Sequence, residues 1–314
     1  MFEKGFGNLS SGFSLERLRR LVELAQHGYI AKAAGGNPTT SNLISRQIGE
    51  LEGFFGTPLR KKEGKLTTLS EKGKHLAEIT ANFLKSLEDF QDQLDGLSPR
   101  VVVGAGQTFL TSIILPCFAE LKDGAEGARV VLKNMESLSL VEELDAGSID
   151  LALVSERRLG KNDPKKVLGK VDYKLYAPME WVSKIKKRKA IEAIFHFPLA
   201  IIEGRGERRS YIDNLASKAG KSLKVELECS SHIELMEAVK SGCFCAILPN
   251  FLGRDLDPRK FASFNTPELK GMQGKLCIAW KKNIYNYKPR IDLVINAIHE
   301  TASKFLKSSS KAKQ

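Results

Sequence analysis

The chain has 314 residues, 42% hydrophobic and 27% charged, with 49 Lys and Arg against 37 Asp and Glu for a net charge of +12. That length suits two or three domains with sizeable cores, and no stretch approaches the roughly 20 apolar residues of a membrane span. Residues 1–97 carry 13 Lys and Arg against 12 Asp and Glu and the remainder 36 against 25, so any nucleic-acid reading of the first third must rest on motif and local clusters.

The segment MFEKGFGNLSSGF lacks the apolar core of a signal peptide, which leads us to expect a cytoplasmic protein. Ser14 to His27 then carries Leu15, Leu18, Val22 and Ala25 at helical spacing and stops at Gly28. A second short helix starts at Ile30, where Ala33 and Ala34 are small enough for close approach of another backbone, and Gly35, Gly36, Asn37 and Pro38 break it. A third begins at once, with Thr39 or Thr40 as N-cap and Ile44, Ile48, Leu51 and Phe55 as one buried stripe. Its other face sets Thr40, Ser41, Asn42, Ser45, Arg46 and Gln47 near the N-terminal end, where a recognition helix offers short donors and acceptors to base edges and a cation to phosphate. Taken alone, an ordinary amphipathic surface helix fits as well.

The flanks favour the recognition helix. Gly56 and Pro58 end it, and Leu59 to Leu69 reads as a hairpin with its tip near Glu63 and Gly64 and with Arg60, Lys61, Lys62 and Lys65 as a basic wing suited to phosphates. Residues 1–69 therefore read as a winged helix-turn-helix. Ser70 can cap a long helix that runs to about Leu97 and ends at Ser98-Pro99, so residues 70–98 form a linker. Within it Leu76, Phe83, Phe90 and Leu97 recur every seven residues and Thr80, Leu87 and Leu94 form a second row. A connecting helix with two apolar rows predicts a dimer, which would present two recognition helices to an inverted repeat; the alternative is one helix packed on its own domain.

From Arg100 short apolar strands alternate with helices: strands at Val101–Val103, Arg129–Leu132 and Ile149–Val154, helices at Ile113–Leu121 and Ser137–Ala146. After a linker the pattern resumes with strands at Phe197–Ile202, Lys224–Cys229, Cys243–Leu248 and Leu276–Trp280 and helices at Arg208–Ala219, Ile233–Ser241 and Ile291–Phe305, and the tail SSSKAKQ reads as disordered. This is an α/β half, residues 99–314, with an open, mostly parallel sheet and ligand sites at the carboxyl ends of its strands.

In the first half Gly28, Ala33-Ala34, Ser45-Arg46-Gln47-Ile48, Leu51-Glu52, Gly56, Leu59 and the Leu69 to Gly73 run, and in the second Leu115-Pro116, the Gly147 to Val154 run, Ser230-Ser231, Val239 to Gly242 and Ile247-Leu248-Pro249, stand in a fixed order and spacing. Over roughly residues 15 to 305 the sequence resembles the LysR-type transcriptional regulators. It departs where Asn37 replaces a buried Leu, Thr39 a small apolar residue and Asn42 a Pro or small residue. The resemblance implies a two-lobed fold like that of periplasmic solute-binding proteins, with lobe I about 99–160 plus 288–306 and lobe II about 172–282. It also implies an effector in the cleft between them, double-stranded DNA as partner and a homodimer or homotetramer, with no membrane role. Carried over by position, the effector contacts are Gln107, Thr108, Asn134 to Ser137, Gly204, Arg205, Ser230 and Ser231, each of which also suits a helix cap or loop. Helix starts and Arg205 or Arg208 favour an anionic effector.

Five cysteines without paired spacing fit a reducing compartment rather than a disulfide framework. Cys243 and Cys245 fall on one side of the strand read there and Cys229 precedes a helix start, so a thiol-based redox sensor is an alternative, set against Phe244, Ala246 and Ile247, which read as core. The histidines His27, His75, His196, His232 and His299 have no metal-ligand spacing. No nucleophile motif, phosphate loop or carboxylate pair stands out either, so neither an enzyme nor a cofactor is expected, although a catalytic α/β protein without a DNA role remains an alternative. The run KIKKRK from Lys184 to Lys189 reads as a solvated charged face.

Overall fold

The computed structural model describes residues 12–96, 100–125, 127–187, 189–204, 206–282, 284–286, 288 and 290–311. They divide into two compact units, one with residues up to 99 plus 142–149 and 286–288, the other with 100–141, 150–285 and 289 onward.

The first unit opens with α1 (Leu15–His27), in which Ser14 Oγ accepts the Arg17 N–H at 3.3 Å and Gly28, at φ 86°, terminates the helix. Then come α2 (Ile30–Ala33) and α3 (Pro38–Phe55), the latter closed by Gly56 in the left-handed region. The cap of α3 is Asn37, not Thr39 or Thr40: its Oδ1 accepts the N–H groups of both threonines at 2.9 and 3.2 Å, and Pro38 fills the first turn, where a missing N–H costs nothing. Asn37 thus replaces a buried Leu with a capping oxygen. Around one core pack Leu18, Leu21 and Leu24 of α1, Ile30 and Ala34, and Ile44, Ile48 and Leu51 of α3. The buried face of α1 is therefore rotated from the expected one, and Leu15 is exposed.

The wing is the antiparallel pair β1 (Arg60–Glu63) and β2 (Leu66–Leu69), with Arg60 opposite Leu69 and a tip at Gly64, φ 63°. Ser70 Oγ accepts the Gly73 N–H at 3.1 Å at the start of α4 (Glu71–Leu94). Leu97, Ser98 and Pro99, the expected end of the helix, lie outside the described residues. The two heptad rows need correction. Leu76 packs against the head core and Thr80 is buried, while Ile79, Phe83, Leu87, Phe90 and Leu94 are 43–66% exposed and form a single stripe with steps of four, four, three and four.

The second unit begins with β3 (Arg100–Ala105) and α5 (Gln107–Phe109). A wide turn at Leu110–Ile114 and a tight turn at Leu115–Cys117 lead into α6 (Phe118–Gly124). Pro116, which has no N–H to give, breaks what the sequence suggested was one helix. There follow β4 (Arg129–Asn134), α7 (Leu140–Asp145), β5 (Leu151–Ser155), β6 (Lys165–Val171), β7 (Tyr173–Pro178), α8 (Val182–Lys186), α9 (Ala193–His196), β8 (Leu199–Ile202), α10 (Glu207–Ala219), β9 (Val225–Cys229), α11 (His232–Lys240), β10 (Ala246–Pro249), β11 (Phe261–Phe264), β12 (Gly274–Trp280) and α12 (Ile291–Lys311).

One sheet has the order β4-β3-β5-β12-β6; β3 is parallel to β4 and β5, but β12 runs antiparallel to both its neighbours. The sheet is therefore mixed, and β6 and β7 occupy the stretch read as a linker. The other strands form the parallel pair β8-β9 and the antiparallel sheet β10-β7-β11. The terminal helix continues through Ser308 to Lys311, so the first residues of the tail are helical, and residues 312–314 lie outside the described set.

Gly73 marks the tightest approach in the head, since a Cβ there would stand 2.1 Å from the Leu59 carbonyl oxygen. Gly73→Ala is expected to lower the stability of the head by about 1–3 kcal/mol, because backbone rather than a flexible side chain must move. Thermal unfolding checks this, and an unchanged midpoint would show that α4 can shift away from the wing at no cost.

Candidate functional site

The first turns of α3 present Thr39, Asn42 and Arg46 to solvent, with Thr40, Ser41 and Ser45 half-buried beside them. Arg46 is 72% exposed, and Glu50, 3.8 Å away, is also held by Arg17, so the guanidinium is available to a phosphate or a base edge. Thr39 joins this face because α3 starts two residues earlier than the sequence suggested. Gln47 does not: it is 7% exposed and its Nε2 donates to Glu16 Oε1 at 3.0 Å, which turns it toward α1 and away from any ligand.

Arg60 also has a different place from the one expected. Its guanidinium donates to the Ser45 carbonyl and hydroxyl, both at 2.7 Å, and pairs with Glu52. Glu52 in turn accepts the backbone N–H groups of Leu59 and Arg60 at 2.8 and 2.9 Å. Arg60 is thus a clamp between wing and recognition helix. The exposed cations of the wing are Lys61, paired with Glu63 at 2.7 Å, Lys62 and Lys65.

In the second unit parallel pairing does the positioning. Ala105 lies opposite Asn134 on β3 and β4, so the loops that follow, Gly106–Thr108 and Met135–Ser137, emerge at one edge; a Cβ on Gly106 would stand 4.0 Å from Ser137 Oγ. Gln107 is exposed there, Thr108 buried and Ser137 half-buried. Likewise Ile202 lies opposite Cys229, which brings Gly204 and Ser230–Ser231 to one edge of β8-β9. The serines are already engaged: Ser231 Oγ accepts the Glu234 N–H at 3.3 Å and Ser230 donates its N–H and hydroxyl to the Glu234 carboxylate, a capping box that holds that carboxyl below its usual pKa range. Arg205 lies outside the described residues, as does Arg188 of the lysine-rich run.

Cys243 and Cys245 are not paired on a strand face: Cys243 is exposed ahead of β10, whereas Cys245 is buried. Burial pushes the Cys245 thiol up to about 12 and that of Cys277 to about 11, and raises Cys117 and Cys229 as well, which disfavours the reactive thiolate at those four positions. Among the described residues no group of three or more His, Cys, Asp or Glu is arranged to hold a metal ion, and no helix is long and apolar enough to cross a membrane.

Glu52 supplies a pH-dependent test of the clamp. Burial pushes its pKa up, but hydrogen bonds from the Arg60 side chain and from the Leu59 and Arg60 N–H groups outweigh that and hold it below the ordinary value of 4.5. A depressed native pKa stabilises the fold above the unfolded value and loses that stabilisation as the pH falls through the native one. Glu52→Gln is expected to cost about 1–2 kcal/mol at neutral pH. The gap to wild type should narrow as the pH drops below 4.5. Thermal melts across that range test this; a gap that persists in acid would assign the loss to something other than the carboxylate charge.

The chain matches the LysR substrate binding domain family over residues 94–303. It is 25% identical over 243 residues to the RuBisCO operon transcriptional regulator of Allochromatium vinosum, covering 73% of this chain and 77% of that one. In fold it is similar to full-length OxyR of Pseudomonas aeruginosa, with a TM-score of 0.59 and 18% identity over 93% of this chain and 96% of that one. It is also similar to full-length CbnR solved with its target DNA, with a TM-score of 0.53 and 17% identity over 92% of this chain and all of that one. With more than half of its length matched, the chain belongs to the LysR family of transcriptional regulators.

Proposed function

We propose that this regulator reads double-stranded DNA through Thr39, Thr40, Ser41, Asn42, Ser45 and Arg46 in the major groove, with Lys61, Lys62 and Lys65 of the wing on flanking phosphates. The observation that carries the reading is the solvent-facing set Thr39, Asn42 and Arg46 on the first turns of a helix whose opposite side is locked into the head core. The DNA-bound relative with the same fold supports it. Domain boundaries follow as DNA-binding residues 1–69, a linker and dimerisation helix 70–98 and an effector domain 99–314. The protein acts in the cytoplasm and catalyses no reaction.

Dimerisation uses the exposed stripe Ile79, Phe83, Leu87, Phe90 and Leu94, since five large apolar side chains in one row need a partner to leave water. The effector sits in the cleft between the α/β lobes, near Gln107, Thr108 and Ser137 on one lobe and the Ser230–Ser231 edge on the other. It changes how dimers pack through its differential affinity for two arrangements.

Selection of bound duplexes from randomised DNA is expected to return an inverted repeat, with affinity that falls steeply with salt. Arg46→Ala should abolish binding to the selected site and leave circular dichroism and oligomer size unchanged; retained specific binding would remove Arg46 from the interface. Replacing Phe83 and Phe90 together by Asp should yield monomers in sedimentation and weaken operator binding at least tenfold, and an intact dimer would move the interface elsewhere.

A further inference from the structure

The densest run of cations in the chain, KIKKRK from Lys184 to Lys189, is far in sequence from the recognition helix and the wing. It occupies α8 and the turn that follows, in the second unit. Apolar residues on either side pin the segment: Ile185 is 1% exposed and Ile191 7%, and the Trp181 ring stacks on Phe197 with centroids 4.8 Å apart. With its apolar groups turned inward, the segment leaves Lys184, Lys186, Lys187 and Lys189 exposed on a fixed backbone.

None of these four lysines forms an ion pair or hydrogen bond among the described residues. By contrast Lys170, Lys221 and Lys224 of the same unit each stand within 3.4 Å of a carboxylate. Residues 180–189 hold five Lys and Arg against one acid, Glu180, which is exposed and pairs with none of the four. The next acid along the chain, Glu192, already holds Lys221 at 3.4 Å. A helix C-terminus attracts a cation, but a helix of five residues does not account for four of them. Like charges this close repel one another until an anion lies against them.

The charge of the whole chain is distributed in the same sense. Residues 1–97 carry 13 Lys and Arg against 12 Asp and Glu, a net of +1, and the remainder 36 against 25, a net of +11. A duplex presents one negative charge per about 1.7 Å of its axis whatever its bases, so neighbouring lysines meet neighbouring phosphates. We propose that Lys184, Lys186, Lys187 and Lys189 form a second DNA contact, which holds the phosphate backbone outside the sequence that the head reads and is indifferent to base order. The proposal rests on the DNA reading above and adds a surface to it. It supplies the long-range attraction that a nearly neutral head provides only weakly.

The test measures operator affinity of the full chain against salt, on the selected site trimmed to its repeat and on the same site in a long duplex with unrelated flanks. Lys184→Gln, Lys186→Gln, Lys187→Gln and Lys189→Gln together should weaken binding to the long duplex about tenfold or more at low salt, and lower the slope of log affinity against log salt by about 0.9 for each lysine that meets a phosphate. On the trimmed site this variant should match wild type, which also shows that it is folded. A control with Lys122→Gln, Lys218→Gln, Lys282→Gln and Lys307→Gln, all at exposed positions, removes the same charge and should bind the long duplex as wild type does. An equal loss in the control would assign the effect to net charge and overturn the patch, as would an unchanged slope in the first variant. Equal loss on both duplexes would move the contact into the operator and overturn its flanking place. If wild type holds polyglutamate through these lysines while the long duplex ignores them, the surface takes an acidic protein and the DNA contact is overturned. Arg46→Ala keeps the two readings apart: it should abolish the preference for the selected site and leave the lysine-dependent slope on the long duplex in place.

Discussion

The head depends on one carboxylate. Glu52 gathers two backbone N–H groups at the start of the wing and the guanidinium of Arg60, which reaches on to Ser45 in the recognition helix. The orientation of the wing relative to α3 is thus set by charge-assisted hydrogen bonds between groups seven to fifteen residues apart, and not by the hairpin itself, which is too short to hold a fixed position alone. If α3 lies in a major groove, this clamp decides where the lysines of the wing meet the backbone. A residue that touches no DNA then governs the geometry of reading it.

In the α/β unit the corresponding constraint is parallel pairing. Strands that run side by side in one direction release their following loops at the same edge, so β3 with β4 and β8 with β9 each bring together loops from segments distant in sequence. The two edges differ in chemistry: around Gln107, Thr108 and Ser137 the groups are neutral hydroxyls and an amide, whereas the start of α10 carries the cations Arg208 and Arg209.

Local chemistry was legible in the sequence wherever a single residue type decides the backbone. Gly28 and Gly56 end their helices at positive φ, Ser70 caps α4, and Gly64 turns the wing. What escaped was non-local. Gln47 and Arg60 look like ligand contacts because polar residues beside a recognition helix usually are, yet their partners, Glu16 and Glu52, are chosen by packing. Asn37, Thr39 and Thr40 are all capping types, and the decisive sign was Pro38, which favours the first turn. The lysines of β6 hid a strand, and β12 enters between β5 and β6 from more than a hundred residues downstream, which no local periodicity records.

The apolar stripe of α4 has a consequence for supply. If the stripe is the dimer seam, side chains as large as Phe83 and Phe90, half-exposed in a single protomer, tie the folded state to association, and the free energy of an associating protein contains the logarithm of its own concentration. Resistance to heat and to proteolysis would then rise with the number of copies in the cell. Scarcity would remove the regulator twice, first by emptying its operators through mass action and then by exposing the separated chains to degradation.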